Sequence, residues 1–268
     1  MQKYGGSVIH QQQSSDGILE IVEANGVRSM HFGTSSRQSS FLVADPERLH
    51  LTYVRSMKLG LVFCPDAKQV LMVGLGGGSL TQFLLNHYQS CAMTVLEKRR
   101  DVVKASIKYF DLSRDERMQL LIGDGGDFIH QQAFRKKTSY DLLVVDAFDH
   151  SAMADSVRGK AFFNKCKEIM SVSGIMIINL WGSQRAAFQE NANYLLRVFE
   201  QRVCFLPVKG RANVIAFCFS PHYPQLSQKK VREQALFLEC SYNIEMPLFL
   251  KTLIQHNPKT IKHILHKK

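Results

Sequence analysis

The chain has 268 residues, 34 Lys+Arg against 23 Asp+Glu, a formal charge of +11, 45% hydrophobic residues and six cysteines. The hydrophobic share excludes a disordered chain and supplies the core of one large domain, or of a domain with a small appendage. No apolar run approaches the ~20 residues of a membrane-spanning helix, and Met1–Gly6 lacks the apolar core of a secretory signal. The cysteines (Cys64, Cys91, Cys166, Cys204, Cys218, Cys240) are scattered without a CxxC pair, and those inside apolar strings read as reduced, buried thiols. A cytoplasmic protein is expected. The excess of +11 asks for an anionic partner without naming one.

Two regions are expected, 1–66 and 67–268. In the first, Gln11–Ser15 reads as a loose leader. Ile18–Glu23 and Val27–Phe32 form a hairpin across Asn25-Gly26. Ser39–Val43 supplies a further strand, and Asp45-Pro46-Glu47 opens a helical stretch on which Leu49, Tyr53, Met57 and Leu61 share a face. From Lys68 onward the pattern alternates. Strands are expected at Val70–Val73, Ala92–Leu96, Gln119–Ile122, Asp141–Val145 and Gly174–Leu180, and helices at Leu80–Tyr88, Asp101–Phe110 and Gln184–Gln201. Val203–Val208 and Asn213–Phe219 close as an antiparallel hairpin at the sheet edge. Residues 226–268 read as terminal helices broken by Pro247 and Pro258. Apolar strands alternating with helices mean a parallel sheet covered on both faces. The fold class is therefore α/β, a Rossmann-like sheet preceded by a small N-terminal β domain.

In such a sheet, ligands bind at the carboxyl ends of the strands, and the notable polar residues fall there. Gly74, Gly76, Gly77 and Gly78 end the first strand, where a glycine loop lets a ligand approach the backbone. Glu97 ends the second, where an acid can accept hydrogen bonds from both hydroxyls of a ribose; alternatively it is an exposed acid beside Lys98-Arg99-Arg100. Asp124, followed by Gly125, ends the third, where a carboxylate can accept from an adenine amino group or cap the next helix. In register, the three point to an adenosine site. The Gly-Leu-Gly-Gly-Gly-Ser loop is no clean GxGxxG, which favours a methyltransferase-type order over a dehydrogenase; a P-loop is excluded. Asp146 ends the fourth strand, with Asp149 three residues on. Two carboxylates there would hold a cationic amine, and one would take its proton as attack begins. The alternative is a turn cap and a solvated acid. Trp181 reads as packing beside the cleft. The histidines are dispersed and no metal site is expected.

Val70–Gly78, Glu97, Gly123-Asp124-Gly125 and Tyr140–Asp149 together resemble the polyamine aminopropyltransferases, the spermidine synthase-like proteins, over about residues 17 to 220. The resemblance implies a dimer with a β-stranded N-terminal part. It also implies transfer of an aminopropyl group from decarboxylated S-adenosylmethionine to putrescine or a related small amine. Carried over residue by residue, Glu97 binds ribose, Asp124 binds adenine, Asp146 is the general base and Asp149 helps hold the acceptor amine. Gln38 corresponds to a family Gln after the N-terminal hairpin.

This chain also departs from the family pattern. Gly77 stands where the family carries an Asp that grips the aminopropyl amine. Leu51-Thr52-Tyr53-Val54 lacks the family's Glu, Leu206–Gly210 lacks its late Tyr, and His150-Ser151-Ala152-Met153-Ala154 replaces a proline-rich turn. Without the Asp at position 77, the loop amides would be free for the carboxylate of intact S-adenosylmethionine, which would make the chain a methyltransferase. A nucleoside-binding but inactive relative is the other alternative. Residues 226–268 hold 8 Lys+Arg and 3 Asp+Glu, so +5 of the charge lies outside the strand ends. Those ends carry acids, which suit a cationic donor and amine and repel nucleic acid.

Overall fold

The computed structural model describes residues 1–135, 138–148 and 153–266, and of residues 46–49 the backbone only. Among these residues, β1 (Gln2–Lys3), β2 (Gly6–Ser14), β3 (Gly17–Ala24), β4 (Val27–His31), β5 (Arg37–Leu42) and β6 (Asp45–Leu49) form a six-stranded antiparallel meander. Asn25 and Gly26 both take positive φ, 51° and 73°, and Ala24 pairs with Val27. This two-residue turn matches the strand twist, as the Asn-Gly pair requires.

Two short helices, α1 (Thr52–Met57) and α2 (Gly60–Phe63), lead into the second sheet. There β7 (Gln69–Val73), α3 (Ser79–His87), β8 (Ala92–Glu97), α4 (Arg100–Tyr109), β9 (Met118–Ile122), α5 (Gly125–Arg135), β10 (Tyr140–Val145), α6 (Gly159–Glu168), β11 (Met170–Trp181) and α7 (Arg185–Val198) alternate. An antiparallel pair follows, β12 (Val203–Pro207) and β13 (Asn213–Phe219). The strand order is β12-β13-β11-β10-β7-β8-β9, with β9, β8, β7, β10 and β11 parallel. The apolar strands bury both faces. Val70, Met72, Val95, Val144 and Ile177 join one core; Leu71, Val73, Leu96, Val145 and Ile178 join the other.

The N-terminal sheet packs on α4, where Leu19, Ile21, Met30 and Phe41 meet Val102, Ala105 and Phe110. Burial of each large side chain there contributes roughly 1.5–3 kcal/mol. Arg99 strengthens this junction. It pairs with Asp101 at 2.8 Å, donates to the Gly17 carbonyl at 3.3 Å and lies over the Phe32 ring at 4.3 Å. The chain ends with β14 (Leu226–Ser227), α8 (Gln228–Tyr242), α9 (Met246–His256), α10 (Ile261–Ile264) and β15 (Leu265–His266), the three helices covering the first core face.

Three local expectations are corrected. The expected leader Gln11–Ser15 instead lies largely in β2, because pairing with the apolar β3 outweighs its polar composition. Asp45–Leu49 is a strand, so the helix begins only at Thr52. Pro46 fits because β6 is an edge strand, where a missing N–H costs no ladder bond. Pro247 does not break a helix but sits in the first turn of α9, where its fixed φ is tolerated. Five of the cysteines are buried free thiols, and Cys240 is exposed.

Candidate active site

Sheet register builds the site. Val145 pairs with Val73 and Ile178, and Val73 pairs with Leu96. The next residue along each strand therefore brings Asn179, Asp146, Gly74 and Glu97 into one row at the carboxyl edge. A cavity of about 870 Å³ opens over this row. Its walls come from β5 and the loop before it, the loop between β6 and α1, and the turn between β12 and β13.

The glycine loop is shaped by close backbone approach. Gly74 has φ +96°, and a Cβ there would lie 2.1 Å from the Asp146 carbonyl oxygen, so no other residue fits. Gly74 and Gly76 line the cavity, as does Gln38, whose backbone lies against Gly76. Gly77 and Gly78 do not line it. A Cβ on Gly77 would press on Ser39 Oγ and the Phe110 ring, and one on Gly78 would press on Leu112. Gly78 is instead the left-handed N-cap of α3. The Cβ positions of both Gly77 and Gly78 are thus taken up by packing where the loop turns into α3.

Glu97 is 9% exposed. Its Oε2 accepts from the Leu75 amide at 3.1 Å and its Oε1 from the Arg99 amide at 2.8 Å, with a further backbone bond from Gly76. Burial pushes its carboxyl above the ordinary range against these bonds. The acid is therefore no solvated neighbour of Lys98. It is a fixed acceptor that also braces the loop, and the Leu75 and Gly76 amides are not free.

Asp124 caps α5. Its Oδ1 accepts from the Gly126 and Asp127 amides at 2.9 and 3.2 Å. Its Oδ2 accepts from Ser156 Oγ at 2.8 Å, with Lys98 Nζ at 3.9 Å. The cap and a place on the cavity wall coexist in one side chain. Gly125 lines the same wall, and a Cβ there would strike Val73 Cγ1 at 2.3 Å.

Asp146 lies where β10 ends, among Tyr53, which the sequence offered in the family-like segment Leu51-Thr52-Tyr53-Val54, and two asparagines that sequence reasoning did not single out. Asn179 Nδ2 donates to its Oδ1 at 2.9 Å, and Asn213 Nδ2 donates to Asn179 Oδ1 at 3.0 Å. Tyr53 from α1 hydrogen-bonds to the same carboxylate. Burial raises the Asp146 pKa, opposed by the Asn179 and Tyr53 bonds, and raises that of Tyr53 well above its usual value. The sequence showed the acid at a strand end and the segment that carries Tyr53; the asparagines come from β11 and β13. Trp181 does face the cavity, with Phe148 at 5.6 Å between ring centroids. Asp149 lies outside the described residues.

The wall also carries Arg37, Lys98, Arg99 and Arg211, so its charge is more balanced than the strand-end acids alone imply. β5 brings Arg37, the loop after β8 brings Lys98 and Arg99, and the β12–β13 turn brings Arg211. Among the described residues no cluster of three or more His, Cys, Asp or Glu is arranged to hold a metal, and no helix is long and apolar enough to cross a membrane.

A family model described as the spermine/spermidine synthase domain matches residues 54–208. A polyamine aminopropyltransferase of Chromobacterium violaceum is 32% identical over 249 residues, 92% of this chain and 93% of that protein. Among solved structures, a spermidine synthase in complex with the transition state analogue AdoDATO superposes with a TM-score of 0.70 at 17% identity, over 96% of this chain and 88% of that one. Human methyltransferase-like protein 13 in complex with SAH gives 0.61 at 24% identity, over 72% and 89%. The two structures share the methyltransferase-like α/β fold described above. With a family model spanning more than half of its length and a curated relative matched along nearly all of it, the chain belongs to the spermine/spermidine synthase family and is a transferase.

Proposed function

We propose that this protein moves an aminopropyl group from decarboxylated S-adenosylmethionine to a small amine such as putrescine, with Asp146 as general base. The observation that carries the reading is one row of strand ends, under one cavity, that presents Glu97, Gly74 and Asp146 side by side. Glu97 would accept from the ribose hydroxyls and Asp124 from the adenine amino group. Gly74, Gly76 and Gly125 leave room for the nucleoside against the backbone. Gln38 and Asp149 would help hold the acceptor. The amine lone pair attacks the methylene carbon beside the sulfonium, the C–S bond breaks, methylthioadenosine departs and the proton passes to Asp146. Orientation of the two reactants supplies most of the acceleration, helped by loss of the sulfonium charge in a largely desolvated cleft. A cytoplasmic homodimer accompanies this reading.

Methyl transfer from intact S-adenosylmethionine is the second reading, favoured by the missing carboxylate at Gly77. Against it, the Leu75 and Gly76 amides that would receive the donor's carboxylate already bond to Glu97. Calorimetric titration with each donor separates the two. Decarboxylated donor is expected to bind at least about tenfold tighter, or ~1.4 kcal/mol. A preference of that size for intact donor would support methyl transfer, and binding of neither would remove the nucleoside site.

A further inference from the structure

The hydrogen bond from Asn179 to Asp146 is itself held in place. Asn179 is 2% exposed, and its amide has one donor edge and one acceptor edge. The donor edge faces Asp146 Oδ1 and the acceptor edge faces Asn213 Nδ2. Register explains why these three meet. Asp146 follows Val145, which pairs with Ile178, so Asp146 and Asn179 are neighbours on adjacent parallel strands. Asn213 pairs with Trp181, and Asn179 with Ile215, so the two asparagines lie diagonally across the antiparallel pair, within reach of each other.

Turning the Asn179 amide over would set its oxygen against an Asp146 oxygen and its N–H edge against the N–H edge of Asn213. Both bonds would fail together. A protonated Asp146 would gain from that turn, because its O–H could donate to the amide oxygen; an ionised one would lose. Asn213 thus weights the choice toward the ionised acid.

We propose that Asn213 is a positioning residue: by occupying the Asn179 oxygen it locks that amide with its N–H edge toward Asp146 and keeps Asp146 a proton acceptor for the incoming amine. The use of that acceptor rests on the reaction proposed above; the lock itself does not. Other groups facing Asp146 are few. The Tyr53 hydroxyl from α1 bonds to the same carboxylate, and among the described residues no charged side chain contributes to its titration. Two neutral donors therefore hold the charge against burial, and one of them depends on Asn213.

The test is a carbon-13 carboxyl NMR titration of the full chain, with the Asp146 signal assigned by its loss in Asp146→Asn. In Asn213→Ala the Asp146 pKa is expected to rise by about 0.5–1 unit. Asn213→Asp is expected to raise it further, because an ionised carboxylate draws the N–H edge of Asn179 to itself and also repels the Asp146 charge, so Asn213→Ala is the variant that isolates the lock. Asn179→Ala removes the donor outright and gives a rise at least as large as Asn213→Ala. An unchanged or lowered Asp146 pKa in Asn213→Ala would overturn the lock, whatever happens to rate or KM. If the pKa rises as expected while no aminopropyl group is transferred, the lock stands and the proposed reaction falls.

Discussion

The two halves of the cleft are held by different means. In the half proposed to take the nucleoside, Glu97 and Asp124 are fixed mainly by backbone amides, Leu75, Gly76 and Arg99 for one and Gly126 and Asp127 for the other, with the Ser156 hydroxyl added on Asp124. Those amides lie within a few residues of a strand end, or in the neighbouring strand's loop. In the half proposed to take the acceptor, Asp146 is held by side chains from α1 and β11, with β13 behind them. The first half is local and braced by the main chain. The second is assembled across the fold, and each of its bonds joins two side chains that substitution can change.

That contrast predicts separable losses. The largest is at Asp146. Asp146→Asn keeps the shape but removes the base, and is expected to lower kcat by about 10²–10⁴-fold with donor affinity changed less than about threefold. Donor affinity falling in parallel with rate would erase the distinction between the halves. The wild-type rate should also fall as pH drops through the Asp146 pKa, which burial places above the ordinary carboxylate range, because only the ionised form accepts a proton. Glu97→Ala is expected to act on the other half, weakening donor binding by about 10–100-fold through lost charge-assisted hydrogen bonds. Asp124→Ala shows the same sign at smaller size, with about 1 kcal/mol of stability lost with the α5 cap. Titrations that left donor affinity unchanged in both variants would break the assignment of this half.

Legibility in the sequence followed the same division. The parallel sheet was readable because strands buried on both faces must be apolar throughout, as Val70–Val73 and Leu142–Val145 are. Gly74, Glu97 and Asp124 were readable because strand ends locate themselves once the strands are known. Asn179 and Asn213 were not. Their significance depends on how β13 registers against β11, which leaves no periodic signal. The strand β6 was missed because Asp-Pro-Glu is a strong helix-opening pattern, overridden by pairing at a sheet edge where proline is tolerated.

The most direct measurement identifies the nucleoside that the protein releases. Pure protein is incubated with a panel of small amines and either decarboxylated or intact S-adenosylmethionine, and the products are separated and weighed. Release of methylthioadenosine from the decarboxylated donor, dependent on an added amine and absent in Asp146→Asn, is the predicted result. Release of S-adenosylhomocysteine from the intact donor, with no methylthioadenosine from the other, would contradict it.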